Sequence, residues 1–263
     1  MSKVSAKLKG GLCNYMFQVA CAYSYALKNN KECFFTTTDS VVRHRHVDNY
    51  KDNVFNKVVF LESYDFSSFF KYNEPHFHFS QIPTIDTDVH LDGDFQSEKH
   101  FSEHEKEIRE LFSYPEDVKN KIVEKWKHLL NKETCSMHVR RCDYLKYQDA
   151  YIIPGIDYYL KASKQMPEDS VFLVFSDDIQ WCKENFPDMP EKFIFVEKQL
   201  DYEDLLLMSL CKNNIIANSS FSWWGAWLNE NNNKIVVAPK KWFNFQYTNY
   251  NTNDLYCNNW IKI

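Results

Sequence analysis

Glycine is scarce in this chain, 5 of 263 residues, and two of the five, Gly10 and Gly11, are adjacent. Backbone freedom is therefore concentrated at a few points. No run approaches the ~18–20 apolar residues that a membrane helix requires. The opening MSKVSAKLKGGLCN lacks the unbroken apolar core of a signal peptide, so a soluble, cytoplasmic protein is expected. Positive charge is not in excess either. A formal net charge of -5 gives no support to nucleic-acid or anionic-membrane binding. The eight cysteines show no C-x-x-C spacing and fall in or beside apolar stretches. Free, buried thiols are expected rather than disulfides or zinc. No G-x-x-x-x-G-K-[ST] occurs, which argues against P-loop ATP chemistry.

What the chain does have is a rhythm. KVSAKLK reads as a strand, GGLCN as a loop, residues 14–29 as a helix and ECFFTT as a second strand. Residues 40–100 are aromatic-rich and suggest no regular structure. EHEKEIRELF and PEDVKNKIVEKWKHLL carry helical periodicity. From Thr134 the strands TCSMHV, SVFLVFS, FIFVE, NNIIAN and, last, KIVVAP alternate with helices. Such alternation predicts a doubly wound parallel sheet with its ligand beyond the carboxyl ends of the strands. The loops to inspect are then RRCDY, SDD and SSFS. The change of rhythm suggests two domains, 1–130 and 131–263.

Several residues in those loops could carry chemistry. His138 and Arg140, two apart on a strand, share a face, and Arg141 takes the other. Arginine's planar fork matches phosphate oxygens, although a structural ion pair of Arg141 with Asp143 or a helix carboxylate is an equal alternative. Ser219 and Ser220 open a helix, where they either cap it or help its free N–H groups bind an anion. In a doubly wound sheet Arg140 and the 219–221 helix start would converge on one phosphate or diphosphate. Gly10 and Gly11 permit a tight turn or a close approach to a ligand. Of Asp177 and Asp178, at least one is explained by capping. Asp204 could accept two N–H bonds from a guanine edge, or cap its helix. The pairs Asp86/Asp88 and Asp92/Asp94 imitate a metal-binding D-x-D, and His44/His46 and His76/His78 have ligand spacing without a completing set.

Together GGLCNYMFQVA, DGDFQSEKHF, HVRRCDY, VFSDDIQWCKENF and NSSFSWWGAWL, in this order, resemble the bacterial-type α-1,2-fucosyltransferases, family eleven of the glycosyltransferases. The resemblance runs from about residue 8 to residue 243. It implies an α/β, GT-B-like fold of two Rossmann-like domains facing across a cleft, the C-terminal one binding GDP-fucose. It also implies an inverting, metal-independent transfer to a galactose-type glycan acceptor, with no cofactor. By position, Arg140 would hold the β-phosphate. His138 and Asp204 would meet guanine, and Ser219, Ser220 and Phe221 would grip the diphosphate. Gly10, Gly11 and Asn14 would lie by the fucose and acceptor, and Arg141 and Asp177 complete the donor-side set. Asp143 would be the base or would only orient an arginine. A non-catalytic GDP-sugar or glycan-binding protein, or a different linkage, is the alternative. Where the family reads G-G-L-G-N-Q and H-V-R-R-G-D, this chain has Cys13, Tyr15 and Cys142. If those glycines need positive φ, the cysteines strain their loops by roughly 1–2 kcal/mol each. Asp94 also stands where the family often has an aromatic residue.

Overall fold

The structure is a computed structural model and describes residues 1–38, 41–42, 45–247 and 249–263. It resolves into two compact units, Met1–Pro115 with Tyr250–Cys257, and Glu116–Asn249 with Asn258–Ile263. Among the described residues no helix is long and apolar enough to cross a membrane.

The first unit begins with β1 (Lys3–Ala6), β2 (Lys9–Gly10), α1 (Leu12–Asn29), β3 (Glu32–Cys33) and β4 (Phe35–Thr36). It continues with β5 (Val41–Val42), β6 (Phe60–Leu61), β7 (Phe70–Asn73), β8 (Val89–Asp92) and α2 (Glu105–Leu111). Its main sheet is parallel throughout, in the order β3-β1-β8-β7. The helix α1 is buried along most of its length and closes at Asn30, whose left-handed conformation (φ 50°) lets its N–H reach the last carbonyls. It begins two residues before the expected start, with Gly11 as its extended N-cap. ECFFTT is not one strand. It splits into β3, which pairs with β1, and β4, which pairs with β6.

The second unit begins with α3 (Glu116–Leu130), β9 (Thr134–Val139), α4 (Ile156–Ser163), β10 (Val171–Ser176) and α5 (Ile179–Asn185). There follow β11 (Phe193–Phe195), α6 (Asp201–Leu210), β12 (Asn213–Ile215), α7 (Ser220–Leu228), β13 (Val236–Ala238) and β14 (Ile261–Lys262). The strands run β11-β10-β9-β12-β13-β14, all parallel. In order of appearance that is 3-2-1-4-5-6, the doubly wound arrangement expected, and it reverses direction between β9 and β12. All six residues of β9 are buried, as a central strand covered on both faces must be. KIVVAP is not the last strand, because β14 adds beside it. The units divide at Pro115/Glu116 rather than near residue 130. The apolar side of α3 (Ile122, Trp126, Leu129) is buried, and Trp126 Nε1 donates to Gln199 Oε1 at 2.6 Å just ahead of α6, so α3 belongs to the second unit.

Candidate functional site

In an open parallel sheet, ligands bind at the carboxyl ends of the strands where the order reverses. Here those ends belong to β9, which runs into Arg140, and β12, which runs into the 216–220 loop. The two loops are tied together. Tyr144 donates its hydroxyl to the Asn218 carbonyl at 2.9 Å, stacks on Tyr151 at 4.2 Å, and lies 5.5 Å under the Arg140 guanidinium.

Of the two pairings open to Arg141, Asp143 or a helix carboxylate, the structure shows the second. Arg140 Nη2 sits 2.8 Å from Asp143 Oδ2, and its Nε sits 3.2 Å from Asp177 Oδ2 without the alignment of a hydrogen bond. Asp143 is thus the partner of Arg140, not of Arg141. Arg141 instead pairs with Asp178 at 3.1 Å and stacks 3.9 Å above the Trp181 ring. Its backbone N–H donates to Asp177 Oδ1 at 2.9 Å, and Asp178 caps α5 by accepting the Trp181 N–H. The acidic pair after β10 therefore holds both halves of the Arg140–Arg141 turn.

On the other loop, Ser219 caps α7, its Oγ accepting the Phe221 N–H at 3.3 Å. Ser220 follows as the first helical residue, and the Phe221 ring leans over His138 at 5.5 Å. The His138 side chain is buried, with Nδ1 2.9 Å from Ser222 Oγ. Burial first, then the positive Arg140, pull its imidazole down to about 3, so it is neutral at neutral pH. Ser222 Oγ also accepts the Ala217 N–H at 3.2 Å. The Ser222 hydroxyl is also placed to donate to the Ser219 carbonyl at 3.4 Å. Asn218 donates to the carbonyls of Ile152 and Trp242, and its Oδ1 is buried without a hydrogen-bond partner among the described residues. Asp204 lies on the first turn of α6, where Gln199 Nε2 donates to it at 2.8 Å, and burial lifts its carboxyl to about 7 against that hydrogen bond.

In the first unit, Gly10 has φ +102°, and a Cβ there would collide with the Asn14 amide. Gly11 caps α1, and Asn14 Oδ1 accepts from Gln96 Nε2 at 3.3 Å. Cys13 and Tyr15 lie in the buried face of α1, with Cys13 in its first turn. Neither they nor Cys142 have positive φ, which among described non-glycine residues belongs to Asn30, Phe95 and Lys198 alone. The expected strain is therefore absent: helical φ is negative at Cys13, and Cys142 sits in a turn that any residue can adopt. All eight cysteines are free. The D-x-D look-alikes are engaged elsewhere, Asp88 by the Lys3 N–H and Asp92 and Asp94 by Lys9 at 3.2 and 3.8 Å. Among the described residues no three His, Cys, Asp or Glu side chains gather around a metal-sized space. His44 lies outside the described residues. His46 bonds to the Thr37 carbonyl, and His76 and His78 stack on each other at 4.8 Å.

Sequence reading missed Glu74, whose only signal was a lone carboxylate amid aromatic residues. Its Oε2 accepts the Asp94 N–H at 2.6 Å, and both oxygens lie 3.1 Å from the Phe95 N, fixing the turn after β8 where Phe95 takes φ 50°. His100 Nε2, buried and without a hydrogen-bond partner among the described residues, lies 3.9 Å away. Burial raises the Glu74 carboxyl from 4.5 to about 7, outweighing the two N–H groups. A folded-state value above the unfolded one means that the stability is present below pH 4.5 and lost as pH rises through about 7. Glu74→Gln should accordingly gain on the parent by on the order of 1–3 kcal/mol between pH 5 and pH 8 in urea unfolding. A pH-independent difference would refute the assignment.

The sequence profile of Glycosyl transferase family 11 matches residues 2–263. The O-antigen biosynthesis glycosyltransferase WbnK of Escherichia coli is 38% identical over 181 residues, 64% of this chain and 59% of WbnK's length. An alpha-1,2-colitosyltransferase of Escherichia coli is 30% identical over 291 residues, covering 100% of this chain and 99% of that protein. The crystal structure of the fucosyltransferase NodZ from Bradyrhizobium shares the fold, with a TM-score of 0.56 at 13% identity over 86% of this chain and 91% of NodZ. The parallel α/β units are of the GT-B-like class, and with a profile match spanning virtually the whole chain and a full-length relative, the protein belongs to glycosyl transferase family 11.

Proposed function

We propose that this enzyme transfers fucose from GDP-fucose to a hydroxyl of a galactose-type glycan, forming an α-1,2 link with inversion and without a metal. The observation that carries the reading is the joining of the Arg140 turn to the start of α7 at the switch point between β9 and β12. A diphosphate there meets a guanidinium and the positive amino end of α7, which stabilise the charge of departing GDP. Nη1 of Arg140, which makes no bond to a described residue, is the group to meet the β-phosphate. The His138 imidazole is the group to meet the guanine ring edge, and Asp204 suits its N–H edge.

In the reaction the acceptor oxygen bonds to the anomeric carbon. The bond from that carbon to the β-phosphate oxygen breaks, and its electron pair leaves with GDP. The acceptor proton is lost as the new bond forms. Asp143, 2.8 Å from Arg140 Nη2, is better placed to aim the guanidinium than to take that proton. Arg141 and Asp177 act through the same turn. By the resemblance to the family, Gly10, Gly11 and Asn14 would bind the sugar and acceptor. The non-catalytic alternative drew on Cys13, Tyr15 and Cys142, and the absence of positive φ at Cys13 and Cys142 weighs against it.

The test is GDP release from GDP-fucose in EDTA across terminal-galactose acceptors, with GDP-colitose as a competing donor because of the colitosyltransferase relative. Acceptor-stimulated release that EDTA leaves intact is expected. Loss of activity with EDTA would refute metal independence, and preference for GDP-colitose would replace the donor. No release by protein that binds GDP would favour a binding protein.

A further inference from the structure

Within the second unit a short polar chain leads from α3 to Asp204. In the loop ahead of α6, Lys198 takes a left-handed φ of 61°, and Glu203 Oε2 accepts the Leu200 N–H at 3.0 Å. The loop is thereby closed onto the first turn of α6, with Gln199 held in it. Trp126 Nε1 and Lys125 Nζ of α3 donate to Gln199 Oε1 at 2.6 and 2.9 Å. An indole N–H and an ammonium are donors only, so the amide oxygen is fixed toward α3 and the amide NH2 toward Asp204. Gln199 Nε2 then donates to Asp204 Oδ1 at 2.8 Å. Lys125 is itself braced, with Nζ 5.6 Å from the Trp126 ring centroid. Both ends of this glutamine are specified, so its orientation has one solution.

The consequence falls on the other carboxylate oxygen. An amide donor at Oδ1 keeps that atom an acceptor in both protonation states, so a proton on Asp204 resides on Oδ2. Oδ2 makes no bond to a described residue. Ionised, Asp204 offers only acceptors, which fits the adjacent N–H donors of guanine. Protonated, it offers a donor beside an acceptor, which fits N1 and the amino group of adenine instead. What sets the charge therefore sets the base. Burial is the largest influence and lifts the carboxyl to about 7; the Gln199 hydrogen bond opposes it, Asp201 and Glu203 add to it, and Lys125 opposes it. Glu203 is paired with Lys121 of α3 at 2.8 Å. Helix α7, in close approach to α6 where Gly225 meets Met208, contains no charged residue. Strand β9 brings only the neutral His138 and the Cys135 thiol, which burial keeps protonated. We infer that Gln199 is a positioning residue that gives the site its preference for guanine: pinned by Trp126 and Lys125, it holds Asp204 as an acceptor for the N–H edge of the base. That Asp204 faces the base rests on the proposed function, but the network that orients it does not.

The experiment measures GDP and ADP binding to the full chain by calorimetry between pH 6.5 and pH 8.5, for the parent, Gln199→Met and Gln199→Glu. The nucleotides' own titration is common to all three proteins and cancels in the comparison. GDP affinity of the parent should rise with pH through about 7, as Asp204 ionises. Gln199→Met removes the donor to Oδ1 and should move that rise upward by about one pH unit. GDP binding is then at least about fivefold weaker at pH 7 and returns to within about twofold of the parent at pH 8.5. Gln199→Glu keeps an oxygen for Trp126 and Lys125, which protects the fold, but sets a second carboxylate against Asp204. It should lose more at pH 7 than the methionine variant, since two carboxylates in contact share a proton. In both variants the preference for GDP over ADP should fall at least about fivefold at pH 7. With Asp204→Asn in place, neither substitution at Gln199 should change the preference further. Equal losses for GDP and ADP, a loss that pH does not relieve in Gln199→Met, or an unchanged preference would each overturn the inference, because a merely structural glutamine moves both nucleotides together. Turnover of GDP-fucose is followed on the same proteins. A Gln199-dependent preference in a protein that transfers no fucose would uphold the inference and refute the functional reading. Transfer with a preference indifferent to Gln199 would do the opposite, and a parent that binds neither nucleotide would overturn both.

Discussion

Replacing Arg140 with alanine is expected to lower turnover with GDP-fucose by at least ~100-fold, because one donor aimed at the developing leaving-group charge is typically worth ~3–4 kcal/mol in the transition state. The fold should survive. Asp177 keeps the Arg141 N–H, and Asp143 is partly open to water, so neither carboxylate is stranded in an apolar interior. Arg140→Lys keeps the charge but loses the planar fork that reaches Asp143 and a phosphate oxygen together, and should recover only a fraction of the loss. Steady-state kinetics at saturating acceptor, with GDP binding measured in parallel, check this. A fall in kcat with folding unchanged supports the role, and near-normal turnover in the alanine variant would remove Arg140 from it.

Trp223→Ala should cost about 3–5 kcal/mol of stability, the usual range for truncating a fully buried large aromatic residue. Trp223 has no exposed surface and packs against Trp224 at 5.2 Å, Trp260 at 5.6 Å and Trp227 at 6.4 Å. Its helix cannot shift inward to fill the space. At Gly225 an added Cβ would already lie 2.8 Å from the Met208 side chain, so α6 and α7 are at close approach. The same helix starts with Ser219 and carries Ser222, which orients His138. Nucleotide binding should therefore fall with the loss of packing, although Trp223 itself is walled off from solvent. Urea unfolding gives the direct measure, and a change below ~1 kcal/mol would contradict the packing argument.

Much of the second unit was legible in sequence because its information is local. TCSMHV and SVFLVFS are continuous apolar runs of the length a doubly covered strand needs, and each is found as a strand. Ser219 announced a helix start and is a cap. Once the strands were ordered, chain connectivity rules carried Arg140 to the ligand end of the sheet. In the first unit the corresponding signals are missing. β4 has two residues, and its partner, β6, is 25 positions away, with Phe35 opposite Phe60. No window of sequence reports such a pairing. The same holds for β14, placed beside β13 by Val237 facing Ile261.

The sequence alone thus determined the fold class, the alternation of the second unit and the residue types of the donor loops, since periodicity and strand ends are properties of neighbouring residues. Tertiary structure decided which acid each arginine meets, that Cys13 and Tyr15 face the core, and that Glu74 grips a turn 20 residues away. Those outcomes depend on which loops the strand order brings side by side, and on how far burial displaces water from each charge. Neither quantity exists until the sheets have formed.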